Sequence, residues 1–407
     1  MSQHKGISTE SHTRTIAVVA LGLWSASLTI GALRVILPVY FASVGVSISK
    51  IAFLFFFDSL AQVLAPIVVG LAINRLGYRR CLLGSLCIHS LISFMYIFDP
   101  AFVLIYLERF VRGLVTMPLM SEVYVKHFSP KESQPHHINM MLGLRDVSKG
   151  TGMFVGGALI ALLPFKYSIF GFGLLTTAAA VIALLYLPDL REEARTPVLK
   201  IWGVVDAKIK TLGLSRGFLQ GAEDAWASAI LPVYLTVVFG LSPTLVGAVM
   251  MAGLMFYGVN VSLLSRWLIA GWDPRRALVV SGLLLLPVSF SLSLPTSVYL
   301  FLGLICLYQL LNSACAVYQN HLKLEFATED KTSIDLAAFK TLSNVFKPVA
   351  VFVAGLLADT AGFSWVFYFS SLLVFFSAMT SHALPKSAPE LTGMVRSYGE
   401  LAAVKKQ

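Results

Sequence analysis

The stretch ILPVYF at residues 36–41 returns almost unchanged as ILPVYL at residues 230–235, which is 194 positions later. Three further pairs keep nearly this offset and the same order: an Arg-Arg pair, an apolar segment containing glycine, and a Leu-Pro pair after an apolar run. They lie at 79–80 and 275–276, at 153–159 and 351–357, and at 187–188 and 384–385. Because four ordered matches share offsets between 194 and 198 residues, we predict that one structural unit occurs twice in the chain.

The composition is that of a membrane protein. The 407 residues are 57% hydrophobic and only 13% charged, whereas soluble domains average about 25% charged residues. An apolar run of about 20 residues is long enough to cross a hydrocarbon core of about 30 Å as a helix. We predict twelve spanning helices, at about 16–43, 49–71, 80–97, 101–125, 138–163, 167–187, 211–238, 243–268, 275–293, 297–322, 334–358 and 363–384.

These spans predict an all-α membrane protein of two pseudo-symmetric halves with six helices each. The first span is too long and too deep in the chain for a removable signal peptide, and no cleavage site follows it. Parallel repeats of this kind place a substrate site near the bilayer midplane, between the halves. The predicted parts are a tail at 1–15, a bundle at 16–187, a linker at 188–210, a bundle at 211–384 and a tail at 385–407.

The positive charge indicates the orientation of the chain. The net charge is +10 and the isoelectric point about 9.4, which in a soluble protein could indicate nucleic acid. Here the basic residues fall on alternate loops, and by the positive-inside rule these loops and both termini are cytoplasmic. We therefore expect a bacterial inner-membrane protein in contact with lipid and without a nucleic-acid partner. The basic residues are Arg75, Arg79, Arg80, Lys126, Lys131, Arg191, Arg195, Lys200, Arg275, Arg276, Lys323 and Lys331.

The loop after the second predicted span carries a family motif. Its sequence GLAINRLGYRR, from Gly70 to Arg80, resembles the Gly-x-x-x-Asp-Arg-x-Gly-Arg-Arg motif of major facilitator superfamily transporters. Asn74 replaces the motif's Asp, and Tyr78 replaces an Arg. The resemblance covers nearly the whole chain and implies that this loop helps to close the cytoplasmic side. The gating residues that it implies are Gly70, Asn74, Arg75, Gly77, Arg79 and Arg80.

Two other segments resemble motifs of the same family. RFVRG in the fourth span is similar to Arg-x-x-Gln-Gly, with Arg112 in place of Gln, and this implies a role in proton coupling for Arg109. The fifth span keeps Gly143, Gly152 and Gly156 of the antiporter motif but lacks its Pro and its last glycines. The partial motif favours export slightly. The alternative is that these glycines simply let helices pack closely.

Charged residues inside the spans are costly and are usually paired or functional. Arg34, Asp58 and Arg109 lie at similar depth, about 8–10 residues from the outer ends of their spans. One interpretation is a structural ion pair of Asp58 with Arg34 or Arg109. The other makes Asp58 a proton carrier that is released when its arginine moves.

A second set of charges lies near the midplane. Lys149 is about 18 Å into the fifth span, and the 198-residue offset relates it to Lys347. Arg145 shares a face with Lys149, and Asp146 is the expected local counter-charge. The family resemblance implies that this layer lines a water-filled cleft, where cations would bind carboxylates or phosphates. The predicted substrate-binding residues are Arg112, Arg145, Lys149, Lys347, Asn312 and Gln220.

Glu223 and Asp224 lie in the middle of the seventh span. Adjacent carboxylates repel each other, so one of them should take up a proton readily, as a proton carrier must. The alternative is that they neutralise Lys347 and Lys149. The residues predicted to serve proton coupling are Glu223, Asp224, Asp58 and Arg109.

These features predict a secondary transporter that moves a small organic anion or zwitterion by alternating access, coupled to protons, with export slightly favoured. A second hypothesis is a proton-antiporting exporter of drugs or siderophores, and a third is a transporter-like sensor without flux. The segment GLRDVSKGTG lacks the spacing of a nucleotide-binding loop, so we expect no ATPase or other enzyme activity. We also expect no cofactor, no metal site among the four cysteines or at His136 and His137, and a monomer.

Overall fold

A computed structural model describes residues 9–115, 117–129, 134–189, 205–267, 273–294, 297–327 and 332–385. Apart from a short 3₁₀ turn at Tyr96–Phe98, the regular structure in these ranges is entirely α-helical, which confirms the predicted class. The predicted linker and both tails lie mainly outside these ranges. The helices are α1 (Thr9–Ser43), α2 (Ile48–Leu76), α3 (Tyr78–Met95), α4 (Phe102–Leu114), α5 (Met117–Phe128), α6 (Gln134–Leu162), α7 (Phe165–Tyr186), α8 (Ala207–Ala227), α9 (Ile230–Val237), α10 (Pro243–Trp267), α11 (Pro274–Ser291), α12 (Val298–Phe326), α13 (Thr332–Val345), α14 (Lys347–Thr360) and α15 (Phe363–His382).

Eight helical segments in the described residues are long and apolar enough to cross a membrane. They correspond to predicted spans 1, 2, 3, 6, 8, 10, 11 and 12. The other four predicted spans, 4, 5, 7 and 9, also fall on helices. Spans 4 and 7 are each divided into two helices, and spans 5 and 9 carry charged residues in their first half. The helices of these four spans are α4 with α5, α6, α8 with α9, and α11.

A proline follows each of two helix interruptions. The seventh span breaks between α8 and α9 at Ser228 and Ala229, and Pro232 comes next. Because proline has no N–H group, the carbonyl of Ser228, four residues earlier, loses its helical partner. The eleventh span breaks at Phe346, and Pro348 lies in the first turn of α14, where proline is tolerated.

The chain divides into two compact units, and the first contains residues 1–198, 227–255 and 351–359. Within it α1 packs against α6, α2 against α4, and α3 against α7. Glycines allow the first contact: a Cβ on Gly152 would lie 2.0 Å from the Leu28 carbonyl oxygen, and one on Gly31 would lie 2.0 Å from that of Lys149. The glycines of the partial antiporter motif therefore serve close packing at Gly152 and Gly156, whereas a Cβ on Gly143 would meet none of the described residues within 4 Å.

Two segments from the second half of the sequence belong to the first unit. The carboxylate of Asp359, near the end of α14, accepts hydrogen bonds from the backbone N–H groups of Ile48 (2.9 Å) and Ser49 (2.8 Å). It thereby caps the first turn of α2. Nearby, a Cβ on Gly355 would lie 2.3 Å from the Cβ of Ala52, so α14 and α2 are in close contact.

The start of α10 makes a similar contact with α6. A Cβ on Gly157 would lie 2.3 Å from the Pro243 carbonyl oxygen, and one on Gly247 would lie 2.4 Å from that of Met153. Small residues on both helices therefore allow their backbones to touch. The predicted boundaries of two six-helix bundles stay a prediction, because the compact units follow these contacts and not the sequence halves.

The second unit contains residues 199–226, 256–350 and 360–407. Buried serines connect α8 to α15 within it. Ser215 Oγ lies 2.6 Å from Ser381 Oγ, and Ser377 Oγ donates to the Ser215 carbonyl oxygen (2.8 Å). Further along the same two helices, Ser370 Oγ donates to the Ala222 carbonyl oxygen (2.8 Å). These hydroxyls satisfy one another where water is absent, so α8 is held at a defined depth against α15.

The internal repeat is visible in one pair of contacts, each within its own unit. Arg79, at the start of α3, donates through Nη2 to the carbonyl oxygen of Leu184 at the end of α7 (2.7 Å). Arg275, at the start of α11, donates through Nη2 to the carbonyl oxygen of His382 at the end of α15. The arginines are 196 residues apart and their acceptors 198 apart, which matches the offset of the sequence repeats. A cation at the carbonyl end of a helix also favours the helix dipole.

Candidate functional site

Polar side chains inside the helices form two clusters, one in each unit. The N-terminal cluster consists of Tyr96, Glu108, Arg109 and Arg112. The C-terminal cluster lies on α8, α10 and α12. Its members are Arg216, Gln220, Glu223, Tyr257, Gln309, Asn312 and Gln319.

Glu108 is the centre of the N-terminal cluster and is only 3% exposed. Its Oε1 accepts from Arg112 Nε at 2.6 Å, and its Oε2 accepts from Arg109 Nε at 3.1 Å and from Tyr96 Oη at 2.8 Å. The single negative charge of Glu108 therefore balances only one of the two positive charges, although its carboxylate bonds to both arginines. Burial makes each of these charge-assisted hydrogen bonds hard to replace by water.

The predicted ion pair of Asp58 with Arg34 or Arg109 is wrong. Asp58 accepts instead from Gln62 Nε2 (3.0 Å), and among the described residues no basic nitrogen lies within 4.0 Å of its carboxylate. The reason is local: Glu108 is on the same helix as Arg109 and satisfies its Nε first. A role for Asp58 or Arg109 in proton coupling stays a prediction.

Arg112 is one of the residues that the sequence predicts to bind substrate. It is 3% exposed, and both terminal nitrogens of its guanidinium are buried without a hydrogen-bond acceptor among the described residues. In the structure its Nε is bound to Glu108 inside the first unit. A role for Arg112 in substrate binding stays a prediction.

Arg145 and Asp146 form the predicted local pair on α6. Arg145 Nε and Nη2 donate to the two oxygens of Asp146 at 2.8 and 3.0 Å, and both side chains are partly exposed. Lys149 lies one turn further along α6, is half-buried and belongs to the first unit. Its predicted counterpart Lys347 belongs to the second unit.

In the C-terminal cluster, polar side chains of α8 bond to polar side chains of α12 over two helical turns. Arg216, Gln220 and Glu223 are spaced i, i+4 and i+7, so they share one face of α8. Arg216 bonds to Gln319 and Glu223 bonds to Asn312, which is again seven residues away on α12. The helices therefore run antiparallel with these polar faces in register.

Glu223 is bound by neutral amides. Its Oε2 accepts from Asn312 Nδ2 (2.9 Å) and its Oε1 from Gln309 Nε2 (3.2 Å). No basic nitrogen of the described residues lies within 4.0 Å of it. The oxygen of the Gln309 amide, Oε1, is buried and accepts no hydrogen bond from the described residues.

Asp224 has a different environment, although it is the next residue. Its Oδ2 lies 3.1 Å from Lys347 Nζ at the start of α14, and both side chains are largely buried. The structure therefore supports the expected neutralisation for the pair Asp224 and Lys347, and it separates the two acids that the sequence could not tell apart. Asn312 and Gln220, predicted to bind substrate, are both members of the C-terminal cluster.

Arg216 is held by three neutral acceptors. Its Nη1 donates to Gln319 Oε1 (3.0 Å) and its Nη2 to Tyr257 Oη (3.3 Å). The Gln220 amide satisfies two partners in one orientation. Its nitrogen donates to the Ser343 carbonyl oxygen (2.7 Å), and its oxygen accepts from Arg216 Nε (3.1 Å). The guanidinium is thus fixed from α8, α10 and α12 together.

The predicted gating loop forms a tight turn between α2 and α3. Gly77 adopts φ +80°, a left-handed conformation that favours glycine, and its N–H donates to the Ile73 carbonyl oxygen (2.8 Å). Arg75 and Arg80 are exposed, and a Cβ on Gly70 would lie within 4 Å of none of the described residues. The side chain of Asn74 lies outside the described part of the structure, so the gating role of this loop stays a prediction.

Sequence reasoning missed Glu108, Arg216 and Asp359. The first two carried a readable signal, because Glu108 is four residues before Arg112, and Arg216 is four before Gln220. Asp359 had no local signal, since its partners are more than 300 residues away. At His136 and His137, where we expected no metal site, the structure shows His137 Nδ1 within 2.8 Å of Ser129 Oγ.

Comparison with known proteins gives the class of this fold. The sequence model of the Major Facilitator Superfamily matches residues 19–316, so the chain belongs to this family of membrane transporters. It is 19% identical over 369 residues to an uncharacterized MFS-type transporter of Methanocaldococcus jannaschii, covering 88% of this chain and 95% of that protein. It is thus an integral membrane protein of a family that moves small molecules across membranes.

Three solved structures have the same fold at low sequence identity. A bacterial homologue of the human lysosomal transporter Spinster, inward-facing and occupied, has a TM-score of 0.77 at 11% identity, covering 92% of this chain and 97% of its own. A point mutant of the nucleoside transporter NupG has a TM-score of 0.71 at 12% identity, with 91% and 99% covered. The human organic anion transporter MFSD10 has 0.65 at 16% identity, also with 91% and 99% covered.

Proposed function

We propose that this protein is a secondary active transporter that moves a small organic anion or zwitterion by alternating access and couples this movement to protons. The observation that carries the proposal is the contrast between the two neighbouring acids on α8. Asp224 is paired with the cation of Lys347, whereas the partners of Glu223 among the described residues are the neutral amides of Gln309 and Asn312.

Glu223 is the proton carrier in this proposal. A carboxylate that faces a cation keeps its charge, because protonation would leave the cation buried alone. Protonation of Glu223 leaves no such cation behind. With the Gln309 amide turned over, a protonated Glu223 would donate to Gln309 Oε1, which is buried without a donor among the described residues. The amide network can therefore accept both protonation states, as the binding and release of a proton in each cycle require.

Alternating access is supported by the packing of the first unit. Residues 227–255 and 351–359 come from the second half of the sequence but pack on α1, α2 and α6. If this end of the helices is extracellular, as the distribution of basic residues predicts, the outward-open state requires these contacts to separate. The exporting direction rests on the partial antiporter motif.

Purified protein in liposomes containing a pH-sensitive dye tests the proposal. Gradients of succinate, citrate or glutamate should drive saturable proton movement for at least one of these anions. Glu223→Gln should slow the proton movement at least about tenfold, since no carboxylate remains to carry the proton. It should retain exchange of labelled substrate across the membrane. Glu325→Gln makes the same chemical change near the end of α12 and should leave both activities intact.

The outcomes separate the alternatives. Proton movement that follows gradients of lipophilic cations such as tetraphenylphosphonium, and not of anions, would favour the proton-antiporting drug exporter. No saturable flux of any of these compounds would favour the sensor. Full proton coupling in Glu223→Gln together with its loss in Asp224→Asn would show that the assignment of the two acids is reversed.

A further inference from the structure

Arg216 differs from four other arginines and lysines of the spanning helices in what neutralises it. Arg109 and Arg112 contact Glu108, Arg145 contacts Asp146, and Lys347 contacts Asp224. Arg216 has no carboxylate oxygen within 4.0 Å in the described part of the chain. Its three partners there are an amide oxygen of Gln319, an amide oxygen of Gln220 and a phenol oxygen of Tyr257.

The neutral partners hold the guanidinium in one orientation. Gln319 Nε2 donates to Ser215 Oγ (3.4 Å), which turns its Oε1 toward Arg216. Gln220 is oriented in the same way by the Ser343 carbonyl oxygen. Because a guanidinium has five N–H groups, three bonds leave two of them for another acceptor. Arg216 is thus positioned before any ligand arrives, and its charge is not cancelled.

The next carboxylate on the same face of α8 is Glu223. It lies seven residues further along, about 10 Å by the helical rise, and is occupied by Asn312 and Gln309. Arg216 is partly buried, and a partly buried arginine whose described partners are all neutral costs free energy that an apolar residue would not. An ionisable residue retained in a membrane span under these conditions is expected to serve the transported molecule.

We propose that Arg216 binds the carboxylate or phosphate group of the substrate, and that Gln319 and Tyr257 position its guanidinium. This inference rests on the proposed transport of an organic anion or zwitterion and adds the residue that recognises the anionic group. Carboxylate and phosphate oxygens fit the two remaining N–H groups in a fork geometry that lysine does not offer. Glu223, two turns away, carries the proton and leaves this site to the anion.

The charge preference of the site can be measured with thiol reagents of opposite charge. The four native cysteines are replaced by alanine, and Tyr257→Cys introduces one thiol on the side of Arg216 that Tyr257 contacts, while Gln319 and Gln220 still hold the guanidinium. The rates of reaction with anionic sulfonatoethyl methanethiosulfonate and with cationic trimethylammonioethyl methanethiosulfonate are then compared. Arg216→Gln should lower the anionic-to-cationic rate ratio at least about tenfold, because the guanidinium attracts the first reagent and repels the second. Lys166→Gln, which removes a cation at the start of α7, should leave the ratio unchanged.

Two further measurements distinguish loss of the guanidinium charge from misfolding of the variant. Arg216→Lys keeps the charge and should keep most of the ratio, and thermal unfolding is recorded for every variant. With Arg216 present, succinate or inorganic phosphate should slow the anionic reagent more than chloride does at equal ionic strength. In Arg216→Gln this protection should disappear.

The results also distinguish this inference from the proposed function. A ratio that Arg216→Gln does not alter, or a thiol that neither reagent reaches, overturns the anion site. If organic anions still drive proton movement in that case, the proposed function stands without it. A ratio that falls as expected, in a protein that shows no anion-driven flux, keeps the site and overturns the proposed function.

Discussion

At the scale of single residues, Glu108 shows what helix periodicity can and cannot reveal. The sequence predicted that Arg109 and Arg112 lie inside the membrane, offered Asp58 as a partner for Arg34 or Arg109, and assigned Arg112 to substrate binding. The spacing of Glu108 and Arg112 already permitted a contact within one helix, and the structure has it at 2.6 Å. The choice between Glu108 and Asp58 depended on packing between α2 and α4, which a single sequence does not contain.

Glu108→Gln should strongly destabilise the protein. The amide has the same shape, but it leaves two buried guanidinium groups without a counter-charge. Loss of one partner of a buried ion pair costs about 3–5 kcal/mol. Thermal unfolding in detergent, with tryptophan fluorescence as the signal, would measure the effect. Asp99→Asn is the control, because Asp99 and its partner Lys166 are exposed; equal stability of the two variants would contradict this account of Glu108.

Glu223 and Asp224 are a second case in which the sequence identified charged residues but not their partners. The sequence predicted that one of them would carry a proton, because adjacent acids repel. On a helix they point about 100° apart, so their partners come from different elements. Which acid meets Lys347 and which meets the amides of α12 follows from the rotation of α8 in its unit, and only the structure gives that rotation.

At the scale of elements, the contact between α1 and α6 was largely predictable. The motif glycines pointed to close helix packing, and Gly152 and Gly156 both meet the α1 backbone or side chains at distances that exclude a Cβ. Pro38 and Pro232 were expected to bend equivalent helices, but the structure breaks the seventh span into α8 and α9 before Pro232 and keeps α1 as one helix through Pro38. Helix ends and breaks depend on how the freed carbonyl groups are satisfied, and this is decided by neighbouring helices.

Gly152→Ala should destabilise the packing of α1 on α6. The added methyl group would lie 2.0 Å from the Leu28 carbonyl oxygen, so one helix must move. Overpacking of this kind costs about 1–3 kcal/mol. Gly143→Ala is a matched control on the same helix and in the same motif, because its Cβ would contact none of the described residues. A lower unfolding temperature for Gly152→Ala alone is expected, and equal temperatures would rule out the packing role.

At the scale of the whole molecule, the sequence repeat predicted the class of fold because four short segments recur in the same order at offsets between 194 and 198 residues. It did not predict that segments of the second half belong to the first compact unit. That arrangement depends on which ends of the helices are in contact in the conformation observed. Two conformations of a transporter share one sequence, so the sequence alone does not select between them.

Asp359→Ala should loosen the start of α2, since Ile48 and Ser49 lose the acceptor of their N–H groups. Removing a helix cap costs about 0.5–2 kcal/mol, so amide exchange in residues 48–52 should become about two- to thirtyfold faster. Hydrogen–deuterium exchange with mass spectrometry measures this directly. Asp99→Ala removes another acid at the end of a helix without touching α2. Unchanged exchange in Asp359→Ala would show that the cap contributes nothing to this contact.

The same cap has a consequence for synthesis of the protein in the cell. Residue 359 leaves the ribosome more than 300 residues after Ile48, and at about 5–20 residues per second this takes about 15–60 s. During that time α2 is already made, but the acceptor for its first two N–H groups does not yet exist. Water or lipid headgroups must serve as temporary partners, and they are displaced only when the last helices have been inserted. The start of α2 is therefore among the last parts of this protein to mature, although it is among the first to be translated.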